Sequence, residues 1–170
     1  IEQLVKLTSA IHSTKSFIIA QLFHGGIRSP QKITGHIPLS SSVLECTESS
    51  TGKSKKATEK DIKKIINDFT NSAYRCYKAG FDGIELHGAH GYLISQFLGE
   101  KTNLRNDKWG GKLKNRARLL LNIIDSIKKN VPEDFIVGVR ISPEIESIGI
   151  KLKDTIKLVG ILRDMPIDFI

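Results

Sequence analysis

Two hydrophobic periods alternate along this chain, and that alternation restricts the folds open to it. Leu4, Leu7 and Ile11 recur at helical spacing and predict an opening helix. Phe17 to Leu22 is apolar throughout except for Gln21, the pattern of a buried strand. Thr58, with Asp61 three residues on, marks a second helix start as a capping-box variant. Ile62, Ile65, Ile66, Phe69, Ala73, Cys76 and Tyr77 supply the apolar stripe of that helix, and Gly80 ends it. Phe81 to His87 reads as the next strand. Leu113, Ala117, Leu120, Ile124 and Ile127 define a third helix, with Lys128 and Lys129 against the negative end of its dipole. Phe135 to Ile141 is a third strand. Asp154 to Arg163 is a fourth helix with Ile156, Val159 and Leu162 spaced for burial, and Ile167 to Ile170 begins a fourth strand. Strands alternating with helices imply an α/β fold whose strands pair in parallel through crossovers.

Length fits a single domain over 1–170, because 170 residues can enclose a core and no linker or sequence repeat divides them. A closed eightfold βα barrel typically needs about 250 residues. The last strand has no helix to cover it, so the chain is expected to be a piece of something longer. Hydrophobic residues at 39% and charged residues at 26% exclude general disorder. No apolar run approaches the roughly 20 residues of a membrane span, and the opening segment lacks the signal-peptide pattern. The net charge of +8 is spread along the chain, densest at Lys53, Lys55, Lys56, Lys60, Lys63 and Lys64, which reads as a solvated face. No aromatic-basic platform for nucleic acid is visible. Two cysteines, Cys46 and Cys76, without metal-like spacing point to a reducing cytoplasm. Unpaired strand edges at both ends leave a homo-oligomer open.

Three strands end in polar residues: Gln21, His87 and Arg140. The carboxyl ends of parallel strands lie on one edge, where α/β proteins bind ligands, so these side chains are expected on one rim. His87 opens the run His87-Gly88-Ala89-His90-Gly91-Tyr92. Two imidazoles three residues apart can aim at one oxygen as hydrogen-bond donors, and a nearby phenol can deliver a proton. The competing chemistry is a metal site, His87 and His90 with Glu85 as a third ligand in a hydrolase. Glu85 points into the strand layer while His90 leaves it, which disfavours that set. Long loops over Gly25–Lys56 and Gly88–Gly111 exceed ordinary connectors and tend to be functional. Within the second, Arg105, Asp107, Asn115 and Arg116 are expected to hold the loop in shape. Neither a Gly-rich dinucleotide fingerprint nor a P-loop is present.

The chain resembles the old yellow enzyme family of FMN-dependent NAD(P)H:flavin oxidoreductases. Gln21-Leu22-Phe23-His24-Gly25-Gly26, Ala79 through Leu93, Gln96-Phe97-Leu98, Thr102-Asn103, Arg105, Asp107, Gly110-Gly111, Asn115-Arg116, Arg118 and Gly138-Val139-Arg140-Ile141-Ser142 carry the resemblance. It implies an incomplete (β/α)8 TIM barrel, about strands three to six with the intervening helices. It also implies FMN at the carboxyl rim, with NADH or NADPH as reductant. Gln21 and Arg140 would hydrogen-bond the flavin ring, Arg140 placing positive charge near its N1 and O2 edge. His87 and His90 would bind the substrate carbonyl oxygen, as in an ene-reductase acting on a small-molecule enone or dienoyl thioester. Hydride would pass from flavin N5 to the β-carbon of the activated alkene, and Tyr92 would protonate the α-carbon. A catalytically inactive barrel fragment is the alternative. Phe23-His24-Gly25-Gly26-Ile27-Arg28 departs from the family's usual Trp-His-Ala-Gly-Arg, placing Ile27 where Arg is common, and Trp109 stands where Tyr is frequent.

Overall fold

A computed structural model describes residues 1–170. Helix α1 (Glu2–His12) buries Thr8, whose hydroxyl donates to Ala79 O at 2.7 Å. Leu4 and Leu7, expected on a buried stripe, are 41% and 47% exposed, because the rest of the chain lies on the Thr8 side of the helix. Strand β1 (Ile19–Leu22) is shorter than the expected Phe17–Leu22, and Phe17 is exposed. The first long loop contains a 3-10 turn (Gly26–Arg28), a one-turn helix α2 (Gln31–Thr34), and the two-residue parallel pair β2 (Leu39–Ser40) and β3 (Lys55–Lys56).

Helix α3 (Glu59–Lys78) starts where Thr58 and Asp61 cap each other. The Asp61 N–H donates to the Thr58 hydroxyl at 3.2 Å, and the Asp61 carboxylate accepts from the Thr58 N–H at 2.9 Å. Ile62, Ile65, Phe69, Thr70, Ala73 and Cys76 are its buried face; Tyr77, assigned to that stripe from spacing, lies at the exposed margin. The helix ends at Gly80, whose φ of +81° favours a residue without a Cβ. Strand β4 (Gly83–Gly88) follows, then helix α4 (Leu93–Leu98) inside the second long loop. A short helix α5 (Leu113–Arg116) leads into α6 (Arg118–Lys128), strand β5 (Ile136–Ile141), a 3-10 turn (Glu146–Ile148) and helix α7 (Leu152–Arg163). In α7 the core is met by Thr155, Leu158 and Leu162, while Ile156 and Val159 are exposed. Two apolar stripes wind around this helix, and only the one containing Leu158 packs inward.

The sheet order is β1-β4-β5, all parallel. A bridge from Gly138 to Phe169 adds the start of a fourth strand, as expected for Ile167–Ile170. Asp168 N–H donates to Val137 O at 2.9 Å and Val139 N–H to Phe169 O at 3.1 Å. Ile84, Leu86, Val137 and Val139 are fully buried in a cluster of 28 residues that includes the helices' apolar faces. Alternation sends Gln21, Glu85, His87 and Arg140 to the opposite face of the sheet.

The loop after α4 is pinned by its charged residues, as expected. Arg105, 6% exposed, forks onto the Asp107 carboxylate at 2.9 and 2.7 Å. Its third nitrogen donates to Ser41 O and Ala57 O. Buried Arg116 donates to Asp154 at 2.8 Å, and Arg118 donates to Lys108 O and to Asn115. No helix is long and apolar enough to cross a membrane.

Candidate active site

Register, more than sequence proximity, assembles the site. Gln21 pairs with Glu85 across β1 and β4, and His87 pairs with Arg140 across β4 and β5. The expected convergence of Gln21, His87 and Arg140 on one face is therefore present. The Gln21 amide donates to the Glu85 carboxylate, which fixes one end of the row. Arg140 is exposed and takes part in none of the chain's ion pairs.

Beyond β4 the chain turns sharply. His90 has φ +57° and Gly91 φ +74°, two successive left-handed residues. For His90 this conformation costs on the order of 1 kcal/mol. The turn is held by hydrogen bonds on both sides: His90 N–H donates to Ser142 Oγ at 3.1 Å, and Gly91 O accepts from Gln96 Nε2 at 2.7 Å. It brings His90 Nδ1 to 3.1 Å from His87 Nε2. Tyr92, the N-cap of α4, lays its ring 5.1 Å from that of His87 and 5.4 Å from that of Phe23.

The imidazole pair has a definite proton logic. One proton suffices for the contact between the facing nitrogens, so the pair as it stands cannot aim two donors at a third atom. A ligand oxygen can accept from both by entering between His87 Nε2 and His90 Nδ1, each then carrying its proton there. In that tautomer His87 Nδ1 is an unprotonated acceptor. The structure leaves this atom buried and without a partner. Burial first, then the charges of His90 and Arg140, lower the His87 pKa against the opposing pull of Glu85, which favours the neutral ring. No group of three or more His, Cys, Asp or Glu side chains is placed to hold a metal ion. The His87, His90 and Glu85 ligand set is thus not assembled, since the Glu85 carboxylate turns to Gln21.

Sequence reasoning assigned no role to three neighbours of the site. Gln96, fully buried, accepts at Oε1 from the Ser40 hydroxyl at 2.9 Å and the Ile27 N–H at 3.3 Å. Its amide also holds Gly91, so one side chain ties the loop after β1 to the His90–Tyr92 turn. A long amide side chain among the apolar residues of α4 was the available signal. Phe23 and Arg28 flank Tyr92, the Arg28 guanidinium carbon lying 5.6 Å from the ring centroid. They come from a loop whose course the spacing of residues does not reveal.

Parallel βα units with polar groups gathered at the strands' carboxyl ends define an α/β enzyme-type site. The chain belongs to the NADH:flavin oxidoreductase / NADH oxidase family, whose model matches residues 1–170. Members of this family use FMN with NAD(P)H as reductant. It is 39% identical over 174 residues to the NADH-dependent flavin oxidoreductase nadA of Aspergillus parasiticus, covering 99% of this chain and 39% of that protein. It is 37% identical over 174 residues to the probable NADH-dependent flavin oxidoreductase YqiG of Bacillus subtilis, covering 98% of this chain and 46% of that one. The chain thus spans less than half the length of these relatives. Among solved structures, the old yellow enzyme homologue from Zymomonas mobilis superposes with a TM-score of 0.86 at 29% identity, over 98% of this chain and 50% of that one. The solved relatives are TIM barrels, the architecture the sequence resemblance implied.

Proposed function

We propose that this chain forms strands three to six, with the intervening helices, of an FMN-dependent ene-reductase barrel that uses NADH or NADPH. The observation that carries the reading is the facing pair of imidazoles beside Tyr92, in register with an unpaired Arg140. The site's chemistry fits an acceptor-rich planar cofactor: Arg140 offers free donors, and the Gln21 amide lies on the same face. Gln21 and Arg140 would hold the ring, and Arg140 would supply positive charge to its electron-rich edge. FMN, when bound, supplies hydride to the β-carbon of an activated alkene.

The chain's own groups do the remaining work. His87 and His90 bind the carbonyl oxygen of an enone or dienoyl thioester, exchanging one bond between imidazoles for two to the substrate. Negative charge that develops on that oxygen is stabilised by both N–H donors. Tyr92, beside His87, delivers a proton to the α-carbon. The test separates the two half-reactions. Tyr92→Phe slows alkene reduction while leaving flavin reduction by NAD(P)H intact; undiminished alkene turnover in that variant refutes the proton-donor role.

A second reading follows from the open surfaces. Leu4 and Leu7 on α1, Phe17 just before β1 and Ile19 on β1 are exposed, and β1 is an edge of the sheet. An uncovered half barrel of this kind is inactive by itself and associates through its sheet edges, as a homo-oligomer or with a complementary segment. Size-exclusion chromatography distinguishes them: a monomer with full FMN-dependent turnover refutes the inactive-fragment reading. Both cysteines are free, in keeping with a cytoplasmic site of action.

A further inference from the structure

We infer that Arg28 is an anion-recognition residue of this site, and that its substrates are enones bearing a carboxylate: the structure sets a free guanidinium and the His87–His90 pair both beside Tyr92. The inference rests on the proposed role of the imidazole pair and adds to it the substrate's second anchor.

Arg28 closes the 3-10 turn after β1 and is exposed. None of its five N–H donors has a hydrogen-bond or ion-pair partner in the chain. Glu45 and Glu48 line the same surface hollow but remain beyond the 4.0 Å limit of an ion pair. The guanidinium sits over Tyr92 instead, 5.6 Å from the ring centroid. Were Gly91 to carry a Cβ, it would lie 3.5 Å from an Arg28 nitrogen. The cation therefore borders both the phenol and the turn that carries His90.

Its backbone is built into place. The neighbouring Ile27 N–H donates to buried Gln96, Ile27 O accepts from the Cys46 thiol at 3.1 Å, and Leu93 N–H donates to His24 O at 3.0 Å. Gly26 has φ +61°, and a Cβ there would fall 2.3 Å from Gln96 Oε1, so this close approach admits only glycine. The loop is thus clamped to the same side chain that holds Gly91.

The spacing limits the ligand's length. From guanidinium to Tyr92 is 5.6 Å and from Tyr92 to the His87 ring 5.1 Å, so the two anchors lie at most about 11 Å apart. Hydrogen bonds of about 3 Å at each end then leave no more than about 5 Å for the ligand. A 4-oxoalk-2-enoate, which carries its carboxylate one alkene away from the ketone, stays within that limit. A planar guanidinium suits a carboxylate by its paired donors.

The test compares (E)-4-oxopent-2-enoate with its methyl ester, titrated into the protein in the presence of FMN. Binding is followed through the imidazole NMR resonances of His87 and His90. The acid binds roughly tenfold more tightly than the ester, as expected for a charge-assisted pair, and the preference weakens with added salt. Arg28→Ala brings the two affinities within about twofold, Arg28→Lys retains part of the preference, and Arg28→Glu reverses it. Equal affinities in the wild type, or an acid preference that survives Arg28→Ala, overturns the inference while leaving the enone site intact. Failure of both compounds to move either imidazole overturns the proposed function and this inference with it.

Discussion

Replacing Gln96 by Leu should be among the most damaging single changes near this site. The side chain is fully buried and makes three hydrogen bonds: from Ser40 at 2.9 Å, from Ile27 N–H at 3.3 Å, and to Gly91 O at 2.7 Å. Leucine fills a similar volume but offers no polar atom. It strands the Ser40 hydroxyl, which is itself fully buried, together with two backbone groups. Each lost bond costs about 1 kcal/mol, and each stranded group raises that toward 2, so the loss should reach roughly 3–6 kcal/mol. Domains of this size are typically stable by only about 5–15 kcal/mol. Urea unfolding measures the total, and hydrogen exchange at the Ile27 amide locates it. Gln96→Glu is the isosteric control: it retains an acceptor for Ser40 and Ile27 but sets an oxygen against Gly91 O. It should therefore be less harmful in acid, where the carboxyl can donate, than at neutral pH. A loss below about 1 kcal/mol for Gln96→Leu, with the Ile27 amide still protected, would refute the clamp.

Stability should also depend on pH through two histidines. Burial is the largest influence lowering both His24 and His87 from the ordinary value of 6.5, so below that value the unfolded chain binds more protons than the folded one. Their contribution is complete above 6.5 and is lost as the solution is acidified below it, before the depressed carboxylates of Asp61 and Asp107 begin to protonate. Urea midpoints from pH 8 to 5 should fall, and a His24→Asn, His87→Asn variant should flatten the profile; a flat wild-type profile contradicts this assignment. At the start of α3, Thr58→Ala removes half of the reciprocal cap and should cost about 1 kcal/mol in chemical denaturation. A loss below about 0.3 kcal/mol would make the cap incidental.

Much of this arrangement is legible in sequence because it depends on local rules. The Thr58–Asp61 cap, the Gly80 stop and the polar ends of three strands each follow from the chemistry of one or two residues. The face shared by Gln21, His87 and Arg140 follows from strand alternation once the strands pair in register. Helix α4 was hidden for the opposite reason. All six residues from Leu93 to Leu98 are buried, so no polar face reveals a helical period. In α7 the sequence offers two apolar stripes, and packing rather than hydrophobicity selects Leu158 and Leu162 over Ile156 and Val159. The placement of Arg28 over Tyr92 is more remote still. It depends on a loop course fixed by Gln96, nearly 70 residues away in sequence. The proton shared between His87 and His90 likewise requires coordinates, since spacing alone allows both rings to donate outward at once.

Titration of FMN with the purified protein, followed by visible absorbance and flavin fluorescence, addresses the central claim most directly. The flavin spectrum should shift on binding, and Arg140→Ala should weaken the affinity roughly tenfold through loss of a charge-assisted contact. An FMN spectrum unaltered at every protein concentration, or superimposable wild-type and Arg140→Ala titrations, would contradict the assignment of this sheet face to a flavin.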